Sequence, residues 1–221
     1  MTLPSSSLPV ATSTIRRRGL RAGLRGLAAL TLAPALVLAL GGCEKKPEHP
    51  PFKSVDITGA DYGRKIELPD GDGKPRSLAE FKGKLVVVFF GYTQCPDVCP
   101  TTLTNLVEVK KLLGADGDKL QAVFVSVDPE RDTPALLKSY VTAFDPGWIG
   151  LTGTPEQVAV AAKEFKVFYR KAPGKTPESY TVDHTAASYV FDPAGKLRLY
   201  VRHAATPPDV ADDLKILLAG G

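Results

Sequence analysis

Three cysteines and three histidines are all that this 221-residue chain contains. The search for redox thiols or soft metal ligands is therefore short: Cys43, Cys95 and Cys99, with His49, His184 and His203. A basic excess is missing too once the chain is divided. Five of the 28 basic residues and none of the 24 acidic ones fall in the first 42 positions, leaving 23 against 24 and a net charge of −1 with histidine neutral. The isoelectric point near 8.9 belongs largely to the leader, so no electrostatic case exists for binding nucleic acid. No internal repeat is visible. The apolar stretch from Leu27 to Leu40 is interrupted by Pro34 and too short for a comfortable membrane span.

That leader has its own logic. Arg16, Arg17, Arg18, Arg21 and Arg25 form a basic region without an acid, the apolar stretch follows, and Leu40-Gly41-Gly42-Cys43 ends it. This looks like a lipoprotein-type signal segment over residues 1–42, with Cys43 lipidated and becoming the new N-terminus. The alternative is an uncleaved anchor helix with an incidental cysteine; either way the domain is tethered outside the cytoplasm. The arginine cluster only loosely resembles a twin-arginine signal, which leaves the export route open. Residues 43–51, rich in Lys and Pro, read as a tether. Residues 52–221 form the domain, and the 179 residues from Cys43 onward suit one compact unit with a good core.

Along the domain, Val55–Leu68 reads as one or two strands closed by the turn Asp70–Gly73, and Ser77 with Glu80 as a capping box for a brief helix. Leu85–Phe90 is the strongest strand pattern. A helix with Leu103, Leu106, Val109 and Leu113 on one face stops at Gly114. A second strand, Gln121–Val127, leads through Asp128–Pro134 into a helix ending near Phe144; Asp132, ahead of Thr133-Pro134, reads as its cap. A short strand at Trp148–Leu151, a helix opened by Thr154, Pro155 and Gln157, and a strand at Lys166–Arg170 come next. Ala172–Ser179 reads as a Pro/Gly/Lys-rich loop. Strands Ala186–Phe191 and Leu197–Val201, joined by Asp192-Pro193-Ala194-Gly195, and a closing helix Pro207–Leu218 complete the chain. The order predicts an α/β domain with a mixed central sheet flanked by helices and an N-terminal β extension, with cysteines after the first core strand as in a thioredoxin-like fold.

The chemistry sits in Gly91-Tyr92-Thr93-Gln94-Cys95-Pro96-Asp97-Val98-Cys99-Pro100. At a strand-to-helix junction the helix N-terminus is expected to lower thiol pKa values. Three residues separate the cysteines, which places Cβ atoms about 5–6 Å apart on a helical backbone. Two thiolates then converge on one ion, while a small adjustment still permits a disulfide. A plain structural bridge is the simplest alternative, but closing so short a loop contributes comparatively little. Of the histidines, His49 lies in the tether and His203 follows the last strand. His184 stands at the start of a core strand, the junction that faces the cysteine loop in a thioredoxin-like fold. Two Cys and one His make a soft set suited to Cu(I), with the imidazole making Cu(II) tolerable; zinc fits the same three with water as a fourth ligand.

These residues resemble the Sco (SenC) family of copper-binding, thioredoxin-like assembly factors for cytochrome c oxidase. The pattern Y-x-x-C-P-x-x-C-P matches Tyr92, Cys95, Pro96, Cys99 and Pro100, and V-D-P-x-R-D-T-P matches Val127–Pro134 with Glu130 at the variable place. D-H-[ST] matches Asp183, His184 and Thr185, and the D-P-x-G hairpin matches Asp192, Pro193 and Gly195; the likeness runs from about Phe52 to Leu218. Gln94 precedes the first cysteine where many bacterial relatives have His. The resemblance implies Cys95, Cys99 and His184 as copper ligands. Asp183 is then a candidate to orient the imidazole or a turn residue at a strand start. Asp128, with Arg131, is a candidate to shape the loop or a docking surface, or else a loop ion pair.

The function implied is that of a metallochaperone rather than an enzyme. It would sit at the outer, periplasmic face of the bacterial cytoplasmic membrane, tethered through lipid on Cys43. It would carry copper, Cu(I) or Cu(II), to the copper-binding subunit of the oxidase, or prepare the binuclear centre there, with an upstream thiol reductase and a copper donor as further partners. The alternative is a thiol–disulfide oxidoreductase that uses Cys95 and Cys99 to reduce the oxidase's copper-ligand cysteines. A peroxidase-like enzyme is weaker, since no activating arginine is apparent beside Cys95.

Overall fold

Residues 52–176 and 179–221 are described by the computed structural model; Cys43, His49 and the expected signal segment and tether lie outside them. Two short strands open the described chain, β1 (Val55–Asp56) and β2 (Glu67–Pro69). The expected turn follows: Asp70 Oδ1 accepts the amides of Asp72 and Lys74, and Gly73 takes φ +76°, a left-handed conformation that suits glycine. It leads into a strand absent from the sequence reading, β3 (Pro75–Ser77), and then a 3₁₀ turn at Leu78–Phe81 closed by the Ser77/Glu80 box.

The central elements come next: β4 (Leu85–Gly91), α1 (Val98–Leu112), β5 (Leu120–Ser126), α2 (Pro134–Thr142), β6 (Ile149–Leu151) and α3 (Pro155–Glu164). All seven positions of β4 and of β5 are buried, as expected of strands covered on both faces. Leu85, Val87 and Phe89 pack one way with α1, α2 and α4 (Pro207–Leu218), while Val86, Val88 and Phe90 pack the other way with α3.

The last third holds β7 (Tyr169–Ala172), β8 (Thr181–His184), β9 (Ala187–Phe191) and β10 (Leu197–Arg202) ahead of α4. The expected strand at Lys166–Arg170 starts three residues later, because Lys166 takes φ +53° after α3. It does not join the main sheet either. β7 and β8 form a separate antiparallel ribbon, with Tyr169 opposite His184.

The main sheet runs β1-β10-β9-β4-β5-β6. β4 and β5 are parallel from Leu85↔Leu120 to Gly91↔Ser126, so the segments following both leave the sheet at one edge. β9 is antiparallel to β4 and therefore starts at that edge, which delivers the segment holding His184 to the cysteines. Three pieces of chain distant in sequence meet there. Among the described residues, no helix is long and apolar enough to cross a membrane.

Candidate metal centre

Cys99 occupies the first turn of α1, and Cys95 lies in the loop before it, its amide donating to the Tyr92 carbonyl at 3.2 Å. Both cysteines are free; Cys99 is buried and Cys95 half-buried. Among the described residues, one ligand atom from each of Cys95, Cys99 and His184 lies within 4.8 Å of the others, and Cys99 Sγ stands 3.6 Å from His184 Nε2. Ligands about 2.0–2.3 Å from a shared ion are themselves about 3.6–4 Å apart, so the trio needs only a small closing movement to hold one. Gly91 makes room for it: a Cβ there would lie 2.6 Å from Cys99 Sγ.

The imidazole is prepared for ligation. His184 Nδ1 lies 3.1 Å from the Thr185 carbonyl. A carbonyl only accepts, so Nδ1 carries the proton and the Nε2 lone pair faces the thiol. The rings of Phe89 and Tyr92 meet the imidazole edge to face, each with its centroid 5.9 Å away. Burial pushes the His184 pKa below its ordinary value, against the opposing pull of the Thr185 carbonyl and Asp183, which keeps the ring neutral. Cys99 departs from expectation. Its thiol is pushed up, not down, because burial outweighs every other influence, and the neighbouring Cys95 adds to it. The helix terminus does not prevail there, so the proton stays on Cys99 until a cation displaces it.

Asp183 does not orient the imidazole. Successive strand residues face opposite ways, and its carboxylate forms an exposed pair with Arg170 at 3.3 Å; the Thr185 carbonyl holds the ring instead. Asp128, buried, bonds Arg131 Nε at 2.5 Å and the Tyr180 hydroxyl at 2.7 Å, so its link to the site is indirect. Asp132 is not the cap of α2. Thr133 takes that place, accepting the Leu136 amide. Asp132 is buried and accepts from the Thr93 amide at 3.1 Å, the Thr93 hydroxyl at 2.6 Å and the Ser126 hydroxyl at 2.6 Å, pinning the cysteine loop to the end of β5. Its three donors favour the charged form, yet burial wins and raises its pKa. An arginine also comes to the loop: Arg131 bonds the Gln94 side chain at 3.1 Å. His203 stays outside the trio, 3.3 Å from the Thr102 hydroxyl.

The family model described as SCO1/SenC matches residues 55–219. The mouse mitochondrial protein named SCO2 homolog is 39% identical over 152 residues, 68% of this chain and 60% of the mouse protein's length. The copper-bound structure of ScoI from Bradyrhizobium japonicum aligns at 44% identity with TM-score 0.64, over 72% of this chain and all of that one. BsSco, described as a member of the Sco family of cytochrome c oxidase assembly proteins and as having a disulfide switch, aligns at 29% identity with TM-score 0.55, over 74% of this chain and 96% of its own. This chain belongs to the SCO1/SenC family.

Proposed function

We propose that this protein is a membrane-anchored copper metallochaperone that delivers copper to, or prepares, the binuclear copper centre of cytochrome c oxidase. The observation that carries the proposal is the convergence of two free thiols and an imidazole whose Nε2 lone pair faces the Cys99 sulfur, all within 4.8 Å. Two sulfurs and one nitrogen suit Cu(I), and the nitrogen extends tolerance to Cu(II). The copper-bound ScoI relative and the oxidase-assembly description of BsSco support the same cargo and destination.

The two thiols have unequal access, and that suggests an order for transfer. Cys95 is half-buried and Cys99 fully buried, so an incoming thiol of the oxidase's copper-binding subunit exchanges first at the Cys95 side. Copper then passes through shared ligation and leaves Cys99 last, as that sulfur regains its proton. Both thiols must be reduced for loading, because a disulfide presents no anionic sulfur pair. Outside the cytoplasm this calls for an upstream thiol reductase as well as a copper donor. Lipid on Cys43 would hold the domain at the outer face of the cytoplasmic membrane, beside its client.

The second reading, a thiol–disulfide oxidoreductase acting on the oxidase's cysteines, draws on the proximity of the two thiols and on the disulfide switch of BsSco. The three-residue spacing of the cysteines, wider than the two residues of Cys-x-x-Cys redox motifs, weighs against it. Complementation separates the two. In a strain lacking the protein, Cys95→Ser, Cys99→Ser and His184→Ala should each fail to restore oxidase activity; full restoration by His184→Ala alone would favour the reductase.

A further inference from the structure

His184 lies just ahead of β9, whose pairing with β4 brings it to the edge the cysteines share. Among the described residues, however, the β7–β8 ribbon that carries His184 pairs with no strand of the main sheet. The cysteines follow β4 of the main sheet, while His184 ends β8 of the separate ribbon. Burial of Val182 seats the ribbon on the core, but an apolar contact fixes no direction. The pair between Lys171 and Glu130 is exposed on both sides, and such pairs contribute little.

Arg131 touches both segments. Its Nη1 donates to Gln94 Oε1, beside Cys95, at 3.1 Å, and to the carbonyl of Tyr180, just ahead of β8, at 2.9 Å. Its guanidinium lies over the Tyr180 ring, 3.6 Å from the centroid. Asp128 holds the group from behind, accepting Nε with Oδ2 and the Tyr180 hydroxyl with Oδ1. Asp128 is 1% exposed and the Arg131 side chain 16%, so the bonds to Asp128 and to the Tyr180 carbonyl are shielded from water, where hydrogen bonds to charge are strong, while the bond to Gln94 lies at the surface. Nη2 is buried without a partner. The orientation of the guanidinium is therefore set by the acceptors that bridge the two segments, not by satisfying every donor.

We propose that Arg131, braced by Asp128, is a positioning residue that straps the His184 ribbon to the cysteine loop and sets the cysteine–imidazole spacing before metal arrives. Its consequence for metal rests on the copper reading above. Arginine suits the task because a planar fork serves Gln94, Tyr180 and Asp128 together while its face stacks on an aromatic ring; a lysine ammonium is a compact point charge with no planar face, and its three donors share one nitrogen that cannot span these separated acceptors.

The test uses the reduced protein, metal-free and with Cu(I), as wild type, Arg131→Ala, Arg131→Lys, His184→Ala and the Arg131→Ala/His184→Ala double variant. Competition titration should show Arg131→Ala weakening copper binding about 10- to 100-fold, as loss of an outer support does, with no rescue by Arg131→Lys. Removing Arg131 from the His184→Ala protein should cost nothing further, since the strap acts through that imidazole. Hydrogen exchange at the Thr181–His184 amides should speed up in metal-free Arg131→Ala. An equal loss of copper affinity in both backgrounds, or unchanged affinity and exchange, would overturn the strap. If Arg131→Ala does not fold, Gln94→Ala, which removes the acceptor that ties Arg131 to the cysteine loop, is read by the same criteria. If wild type binds no copper, the copper reading fails separately, and the exchange rates alone decide the strap.

Discussion

His184 Nε2 stands 3.6 Å from Cys99 Sγ, while its Nδ1 proton is committed to the Thr185 carbonyl. One tautomer is thereby selected, and the lone pair faces the buried thiol. His184→Ala leaves two sulfurs, enough for low-coordinate Cu(I) but poor for Cu(II). The variant should keep weakened Cu(I) binding, reduced about tenfold or more, and lose the Cu(II) absorption and electron paramagnetic resonance signals. Unchanged Cu(II) spectra would remove His184 from the ligand set.

Copper binding should release protons and strengthen with pH. Cys99 holds its proton because burial raises its pKa, and a metal must displace it. Cu(I) affinity measured by competition between pH 6 and 8 should rise about tenfold per pH unit for each thiol proton displaced. A flat profile would mean that the thiols are already ionised.

Fold stability carries a matching acid signature. His184 has a pKa lowered below its ordinary 6.5, so below that pH the unfolded chain takes up a proton that the folded chain resists. Stability contributed by this residue is then lost as pH falls through 6.5. Chemical unfolding of the metal-free protein from pH 7.5 to 5 should show a steeper decline for wild type than for His184→Ala. Parallel curves would contradict the buried, neutral imidazole.

Gly91→Ala should disturb the site without touching a ligand. The added carbon would lie 2.6 Å from Cys99 Sγ and 3.0 Å from both Phe124 Cζ and Phe89 Cε1, and overpacking of this kind costs about 1–3 kcal/mol. The loss should shrink in a Cys99→Ala background, where the nearest obstacle is gone. Equal losses in the two backgrounds would place the strain on the phenylalanines.

Asp132→Ala should loosen the cysteine loop. It strands the Thr93 amide and the Ser126 hydroxyl, both now held by the carboxylate, at about 1–3 kcal/mol for each donor left unsatisfied. Urea unfolding should register the loss, with weaker copper binding alongside it. Stability within 0.5 kcal/mol of wild type, the range of an ordinary surface change, would show that the loop does not depend on this carboxylate.

Local pattern carried much of this protein. Helix α4 spans Pro207–Leu218 as expected, and the continuous apolar runs of β4 and β5 show as buried central strands. Cys95, Cys99 and His184 were legible from spacing and fold order, and they converge. Strands β3 and β8, three and four residues long, leave no sequence signal because so short a run carries no clear period. Asp132 read as a cap because an Asp before Thr-Pro is a local signal; its bond to Thr93, 39 positions away, is a tertiary fact. The same holds for Cys99. A helix N-terminus is visible in sequence, whereas the burial that overrides it emerges only when α1 packs on the sheet.

The proposed copper site consists of Cys95, Cys99 and His184. Copper-edge X-ray absorption on the reduced protein, loaded to saturation and quantified for metal, tests it most directly. One copper per chain, bound by two sulfurs and one nitrogen, is the expected result. A sulfur-only shell, or no bound copper after full reduction, would contradict it.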